Sequence, residues 1–258
     1  MIKVIVAGFM GSMGQKTVEM INQTDDFQLV AGLGPHAQGI DKSEYHLADD
    51  VQVFDQLNSV ETDADVWVDF TLPNSAFENV KFAIEHGIHP VVGTSGMSDA
   101  QLTELTQLAT EKHVGGLIAP NFGLSAVLLM KFAQEAAKYF PDAEVIEMHH
   151  EDKLDAPSGT AISTAKMIAE ARKQNPSAPK TEATIDGARG GDVEGVPVHS
   201  VRLPGYVAHE QVLFGGSGEA LTIRQDSFDR SSFMSGVKIA IPAVIKETSL
   251  MIGLENIL

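Results

Sequence analysis

The sequence predicts an α/β fold: a doubly wound parallel sheet, followed by an α+β region built on a mainly antiparallel, open sheet. Three observations predict it. A continuous apolar run, Ile2–Ala7, opens the chain and leads into the glycine-spaced segment Gly8-Phe9-Met10-Gly11-Ser12-Met13-Gly14. Strand-like and helix-like segments alternate from there to Pro120, the pattern of repeated βα units. Beyond Pro120 the alternation gives way to a long helix and then to a β-rich stretch.

The elements follow in chain order. Ile2–Ala7 is apolar throughout, as a parallel strand buried on both faces must be. Residues 15–23 form a helix and Phe27–Leu33 the next strand. Val66-Trp67-Val68 leads a strand over 65–70. Residues 75–86 are helical, with Phe77, Val80, Ala83 and Ile84 on one face. His89–Val92 is a strand, Asp99–Lys112 a helix, and 115–118 a further strand. A helix over 124–139 carries Val127, Leu128, Met130 and Phe132, and Pro141 stops it. The strand-like run Ala143-Glu144-Val145-Ile146-Glu147-Met148 precedes a helix over 161–173. Residues 175–179 are a loop with two prolines; 196–203, 210–214 and 220–225 are strands. The last helix, 232–249, contains Pro242, which predicts a kink or a break.

Composition narrows the classes. A chain of 258 residues can bury a real core and suits one large or two modest domains. It has no cysteine, which excludes disulfides, thiolate metal sites and thiol nucleophiles and agrees with a reducing compartment. The N-terminus reads as a strand rather than a signal peptide. No stretch approaches the roughly 18 apolar residues of a membrane span. The expectation is a soluble, cytoplasmic protein without a membrane partner. A net charge of −17 disfavours nucleic acid as a partner. An anionic ligand must be captured locally, by a few placed cations and helix N-termini.

The glycine segment follows the first strand and opens a helix. Its spacing is Gly-x-x-Gly-x-x-Gly rather than Gly-x-Gly-x-x-Gly, but the physics is shared: glycines allow a tight turn and close backbone approach to a pyrophosphate at a helix N-terminus. This favours nucleotide binding over a merely structural turn. An acidic residue that would hold a ribose 2′-OH is expected about 20 residues further on. The second strand instead ends Leu33-Gly34-Pro35-His36. A strict preference for NAD is therefore not predicted; His36, and less so Lys42, are candidates to meet a 2′-phosphate. Asp69-Phe70-Thr71-Leu72-Pro73 and Gly93-Thr94-Ser95-Gly96 follow parallel strands and suit a nicotinamide ribose or amide, with ordinary turn chemistry as the alternative. Ala119-Pro120-Asn121-Phe122 is a candidate hinge and nicotinamide floor.

The densest chemistry lies in His149-His150-Glu151-Asp152-Lys153-Leu154-Asp155-Ala156-Pro157-Ser158-Gly159-Thr160-Ala161, a strand-to-helix loop. Gly159 and Thr160 open a helix whose N–H groups suit an anion. Adjacent histidines on a strand end point to opposite sides, and the His-x-x-x-His and His-Glu-x-x-His spacings are absent, so a metal site is disfavoured. Two readings remain: histidines that cap the loop, and, favoured, acid–base and electrostatic work by His149, His150 and Lys153.

From Glu147 to Ala161 the chain resembles the signature of the 4-hydroxy-tetrahydrodipicolinate reductase (dihydrodipicolinate reductase) family, His-His-x-x-Lys-x-Asp-x-Pro-Ser-Gly-Thr-Ala. Gly8-x-x-Gly11-x-Met13-Gly14, Asp69-Phe70-Thr71-x-Pro73, Gly93-Thr94-x-Gly96, Asn121-Phe122, Arg202-x-x-Gly205 with His209-Glu210, and Arg230 fit the same family. The similarity spans essentially the whole chain. It implies NADPH- or NADH-dependent reduction of a cyclic imine-type dicarboxylate, with loss of water to give tetrahydrodipicolinate, on the diaminopimelate route to lysine. It implies a Rossmann-type dinucleotide-binding domain over 1–121, rejoined by 230–258, and a substrate-binding domain over 122–229 that builds a homotetramer.

Site roles carry over by motif position. His149 is the acid/base group, Lys153 the proton donor to the ring, and His150 a substrate ligand. Gly159 and Thr160 hold a substrate carboxylate. Gly8, Phe9, Met10, Gly11, Ser12, Met13, Gly93, Thr94, Ser95, Ala119, Pro120, Asn121 and Phe122 line the cofactor. The chain departs from the pattern near Gly34, where the acidic residue is absent, and at Ser12, often arginine in relatives. It departs again at Ser95, in place of a second threonine, and over Asn121-Phe122-Gly123-Leu124-Ser125. Two other classes compete with the enzyme reading. A nucleotide-sensing regulator on the same fold would not need the full His149/His150/Lys153 set. A semialdehyde dehydrogenase of the thiol-acylating kind needs a cysteine.

Overall fold

The computed structural model describes residues 1–177 and 180–258, so the end of the predicted 175–179 loop lies outside the described residues. The described elements are, in chain order, β1 (Ile2–Ala7), α1 (Ser12–Asn22), β2 (Phe27–Leu33), β3 (Gln52–Phe54), β4 (Val66–Asp69), α2 (Pro73–Glu85), β5 (His89–Val92), α3 (Asp99–Lys112), β6 (Gly116–Ile118), α4 (Leu124–Ala137), β7 (Asp142–His149), α5 (Gly159–Ala171), β8 (Gly191–Val193), β9 (Val196–Arg202), β10 (Ala208–Gly216), β11 (Glu219–Ser227), α6 (Met234–Val244) and β12 (Leu250–Ile252). They group into two compact units: Met1–Phe122 with Arg230–Leu258, and Gly123–Asp229.

The first unit is a seven-stranded sheet in the order β12-β6-β5-β4-β1-β2-β3. Every pairing is parallel. The order reverses at β1, the topological switch point where such sheets bind ligands beyond the strands' carboxyl ends. Ile5, Ala7, Ala31, Leu33 and Trp67 pack with Ala83 of α2. One turn away, Val80 and Ile84 of α2 join Val92, Ile118 and α3's Leu105 and Ala109. Helices α1 and α6 pack on each other, and α6 lies on β5.

Helix boundaries differ from the sequence reading for local reasons. α1 begins at Ser12, because Gly11 takes an extended N-cap conformation (φ −77°, ψ 163°). α2 begins at Pro73, which suits a first helical position where the missing N–H has no partner to lose. α6 ends at Val244, just after Pro242, and the chain then makes strand β12 rather than continuing as helix.

The second unit is a five-stranded sheet, β11-β10-β7-β9-β8. Only the central β7–β9 pair is parallel; the rest are antiparallel. Helices α4 and α5 bury Leu129, Ala133, Ala161, Ala165 and Ile168 on one face, against Val145, Val198, Val212 and Phe214. Alternate residues of a strand share a face, so the register lays rows across that face. Val198–Val145–Val212–Ile223 is apolar. Ser200–Glu147–Glu210–Gln225 comes next, and Arg202–His149–Ala208–Ser227 lies beyond it. The apolar row anchors the helices, and the polar row supports the row that carries His149.

Gly14 tests the packing of the first loop. A Cβ there would sit 2.1 Å from the Gly8 carbonyl oxygen and 2.6 Å from Phe9 Cα, both backbone atoms that cannot rotate away. Gly14→Ala should therefore lower the unfolding free energy by about 2 kcal/mol or more in a denaturant titration, the scale of overpacking. An unchanged midpoint would show that the loop is not held this closely.

Candidate active site

In the second unit the site is organised by a carboxylate that the sequence reading did not single out. Glu147 is fully buried on β7. Its Oε2 lies 2.5 Å from His149 Nδ1 and 2.7 Å from Arg202 Nη1, and its Oε1 accepts from Arg202 Nη2 at 2.8 Å and from the Ser158 N–H at 3.2 Å. Burial pushes the Glu147 carboxyl up, but hydrogen bonds from His149, Arg202 and Ser200 outweigh it and bring the pKa from the ordinary 4.5 down to about 2. A carboxylate only accepts, so Nδ1 of His149 carries the proton, and Nε2 is left to exchange protons with a ligand.

Arg202 also secures the loop that carries Lys153. It donates to the carbonyls of Lys153 (3.4 Å) and Asp155 (2.6 Å). Lys153 Nζ lies 2.7 Å from Asp155 Oδ1; the lysine side chain is 22% exposed and the aspartate 57%. Asp155 is held below its ordinary range by that lysine. His150 is half-buried, and its carbonyl accepts the Lys153 N–H at 3.2 Å.

The entry to α5 completes this group. Ser158 is the N-cap, and its hydroxyl accepts from the Ala161 N–H at 3.2 Å. The N–H groups of Gly159 and Thr160, in the first turn, have no helical acceptor, the arrangement in which a helix start can receive an anion. A Cβ built on Gly159 would meet nothing within 4 Å. The structure thus brings His149, Lys153, Ser158, Gly159 and Thr160 onto one scaffold, with Glu147 and Arg202 as the ties. No group of three or more His, Cys, Asp or Glu that could hold a metal ion occurs among the described residues.

In the first unit the glycine loop has the form a pyrophosphate needs. Gly8 has a φ of +80°, and a Cβ there would lie 2.5 Å from the Phe70 carbonyl oxygen. α1 has no side-chain cap, so its first N–H groups remain for a ligand anion. These features fit a dinucleotide. The side chains sort differently from the backbone: Phe9 and Phe122 are buried, Phe9 edge-on to Tyr45 and Phe122 against Phe70. Met10 lies beside Gly34, and His36 is exposed with a left-handed φ of 59°. Ser12, Ser95 and Pro120 are exposed, Met13, Gly93 and Asn121 half-buried, and Ala119 buried, its N–H donating to the Val92 carbonyl at 2.9 Å.

Asp69 unites the two other loops. Fully buried, it accepts from the Thr71 hydroxyl (2.6 Å) and N–H (3.0 Å), the Thr94 hydroxyl (3.1 Å), Asn79 Nδ2 (2.9 Å) and Trp67 Nε1 (3.2 Å). The Thr94 hydroxyl proton is therefore engaged within the protein. Gly93 leaves room for the Phe70 ring, which a Cβ would strike at 2.1 Å. Acidic residues that hold a loop cannot be told from solvated ones by composition; Asp69 carries one signal, as the charge that closes the apolar run Val66-Trp67-Val68, whereas Glu147 shares its strand with Asp142 and Glu144 and does not stand out.

Comparison with known proteins places these features in one family. The family model described as "Dihydrodipicolinate reductase, N-terminus" matches residues 2–122, and that described as "Dihydrodipicolinate reductase, C-terminus" matches 125–258. The chain is 61% identical over 257 residues to the 4-hydroxy-tetrahydrodipicolinate reductase of Lactobacillus acidophilus, covering 99% of this chain and 98% of that one. It is 59% identical to the enzyme of the same name from Limosilactobacillus fermentum, over the full length of both. Among solved structures it resembles a dipicolinate-bound dihydrodipicolinate reductase from Paenisporosarcina sp. TG-14, with a TM-score of 0.92 and 46% identity over all of both chains. A probable dehydrogenase from Thermotoga maritima, 13% identical with a TM-score of 0.66, shares the fold.

The Glu147 contacts make stability depend on acid. Its folded value lies below the unfolded one, so the unfolded chain takes up the proton first as pH falls. The stabilisation is present above about 4.5 and is lost as pH falls toward 2. From pH 5 to pH 3 this group should cost the wild type about 2 kcal/mol of unfolding free energy, and Glu147→Gln should show a correspondingly flatter acid limb. Parallel limbs in the two proteins would remove Glu147 from its central place.

Proposed function

The chain belongs to the dihydrodipicolinate reductase family, and we propose that its two units divide the reaction, the first holding a nicotinamide nucleotide and the second a cyclic dicarboxylate. The activity is reduction of 4-hydroxy-tetrahydrodipicolinate to tetrahydrodipicolinate with loss of water, a step of lysine biosynthesis. The observation that carries the site assignment is that Glu147 binds His149 and the Ser158 N–H just before Gly159 and Thr160, while its partner Arg202 holds the Lys153 loop. No observation favours a regulator without catalysis.

When bound, the nucleotide supplies a hydride. Gly8, Phe9, Met10, Gly11, Ser12 and Met13 would hold its pyrophosphate through backbone groups. Gly93, Thr94 and Ser95, with Ala119, Pro120, Asn121 and Phe122, would line its nicotinamide end. The cofactor proposed is NADPH, with NADH also accepted: no acidic residue stands at the end of β2 beside Gly34, and the exposed His36 is the residue that would meet a 2′-phosphate.

Reduction of a C=C–C=N system leaves negative charge on the ring, so a neighbouring proton donor must quench it. Lys153 is that donor, and its exposed pairing with Asp155 is weak enough to give way to a ligand. His149, with Nδ1 engaged by Glu147, acts as acid and base through Nε2. The Gly159 and Thr160 N–H groups and the Thr160 hydroxyl bind one substrate carboxylate, and His150 contributes to substrate binding. A homotetramer is proposed from family membership; the sheet face that α4 and α5 leave uncovered carries the exposed Leu213, which suits contact with another copy. No described helix is long and apolar enough to cross a membrane, and a cytoplasmic place follows from the biosynthetic role proposed.

The direct test is an assay with freshly made 4-hydroxy-tetrahydrodipicolinate and each nucleotide. Substrate-dependent loss of NADPH absorbance is expected, and rejection of NADPH in favour of NADH alone would discard the His36 assignment. Lys153→Ala should lower turnover by orders of magnitude with little change in nucleotide affinity; normal turnover would refute its role. Gly159→Ala meets open space within the protein. It should keep the wild-type melting temperature while raising the KM for the dicarboxylate at least roughly tenfold, the effect of losing one charge-assisted contact.

A further inference from the structure

We infer that Glu210 is a positioning residue that works in its neutral form: its carboxyl proton ties the first turn of α5, and with it the carboxylate cradle, to the central sheet. The inference rests on the reading of Gly159 and Thr160 as that cradle.

Thr164 Oγ1 lies 2.6 Å from Glu210 Oε1 and 3.0 Å from the Thr160 carbonyl oxygen. A threonine hydroxyl has a single proton, and a carbonyl can only accept. If Thr164 donates to Thr160, the short contact with Glu210 needs a proton from Glu210. The result is a directed chain: Glu210 O–H to Thr164 Oγ1, Thr164 O–H to Thr160 C=O. An ionised Glu210 would compete with the Thr160 carbonyl for one proton and loosen the turn that presents the cradle.

The surroundings favour the neutral form. Glu210 is 2% exposed and stands directly opposite Glu147 in the β7–β10 ladder. Two facing carboxylates in a buried site do not both ionise readily. Glu147 has Arg202, His149 and the Ser158 N–H to hold its charge, and Glu210 has the Thr164 hydroxyl. From β11 it faces neutral Gln225, whose Oε1 accepts from Ser125 of α4 at 3.2 Å; His149 and Arg202 belong to the next row of the sheet. Burial raises the Glu210 carboxyl to about 7, against the pull of the Thr164 hydroxyl and with the push of the Glu147 charge.

Calorimetric binding of dipicolinate between pH 6 and 8.5 tests the assignment in the wild type, Glu210→Gln, Thr164→Val and Thr160→Ala. Wild-type affinity should weaken by about tenfold or more across that range as Glu210 ionises. Glu210→Gln, which keeps a donor to Thr164, should flatten that dependence. Thr164→Val should bind more weakly at every pH and with the same flat profile. A wild-type slope retained in Glu210→Gln overturns the inference. Thr160→Ala should lose affinity throughout; if it binds as the wild type does, the cradle reading fails by itself. The proton on Glu210 is still decided then by unfolding. A folded value raised above the unfolded one makes the wild type lose stability as pH rises from about 4.5 through 7. Glu210→Gln should not show that loss, and equal slopes would overturn the neutral carboxyl.

Discussion

The second unit depends on a buried negative charge. Glu147 sits in a central strand where water cannot reach it, so it persists as a carboxylate only because Arg202 meets it through two nitrogens and His149 and Ser158 donate to it as well. Each of those partners belongs to a different part of the site. His149 ends the same strand, Arg202 ends β9 and grips the Lys153 loop, and Ser158 starts α5. Removing the carboxylate would release all three at once and leave the guanidinium half-buried without its counter-charge. That is the sense in which one interaction sets the geometry of His149, the Lys153 loop and the start of α5 together.

The first unit solves the same problem by other means. Its loops are brought together by close backbone approach and by neutral donors around Asp69, not by an arginine pair. Gly8 lets its turn touch the Phe70 carbonyl, and Gly93 admits the Phe70 ring, so the loops after β1 and β5 both close on one residue of the loop after β4. Asp69 then fixes the Thr71 and Thr94 hydroxyls. Backbone donors at a helix start suit a pyrophosphate, which needs many weak, well-placed N–H groups. Protons on titratable side chains suit ring chemistry.

Much of this was legible in the sequence, and what was not follows a rule. Long apolar or alternating runs gave β1, β2 and β5 and helix α3 with their ends correct. The unforeseen strands, β3, β8 and β12, each have three residues and each lie at a sheet edge. Such strands are too short for a periodic pattern to mark them; β8 pairs across a tight turn with β9, and β12 pairs with β6, far back along the chain. The chemistry-bearing segment 149–161 was visible because its groups are contiguous. Glu147, Arg202 and Glu210 were not seen as a set because they lie on β7, β9 and β10, and only the register of those strands makes them neighbours.

The acidic chain must still hold a dianionic substrate, and the site proposed for it divides the work between two cations. Arg202 is engaged by Glu147 and by the carbonyls of Lys153 and Asp155, so its charge serves the scaffold. Lys153 is different: its partner Asp155 is mostly exposed, and an exposed ion pair contributes only about 0–1 kcal/mol. A ligand carboxylate can displace that partner at little cost, whereas displacing Glu147 from Arg202 would strand a buried charge. The protein thus keeps one cation fixed and one exchangeable, and the exchangeable one is the group that can also give up a proton. In the proposed site the helix start at Gly159 and Thr160 would supply the remaining attraction through dipoles, which the overall charge of −17 does not neutralise. Local capture against an unfavourable net field therefore needs no surplus of basic residues. It needs the strongest cation to be structural, so that the weaker one is free to react.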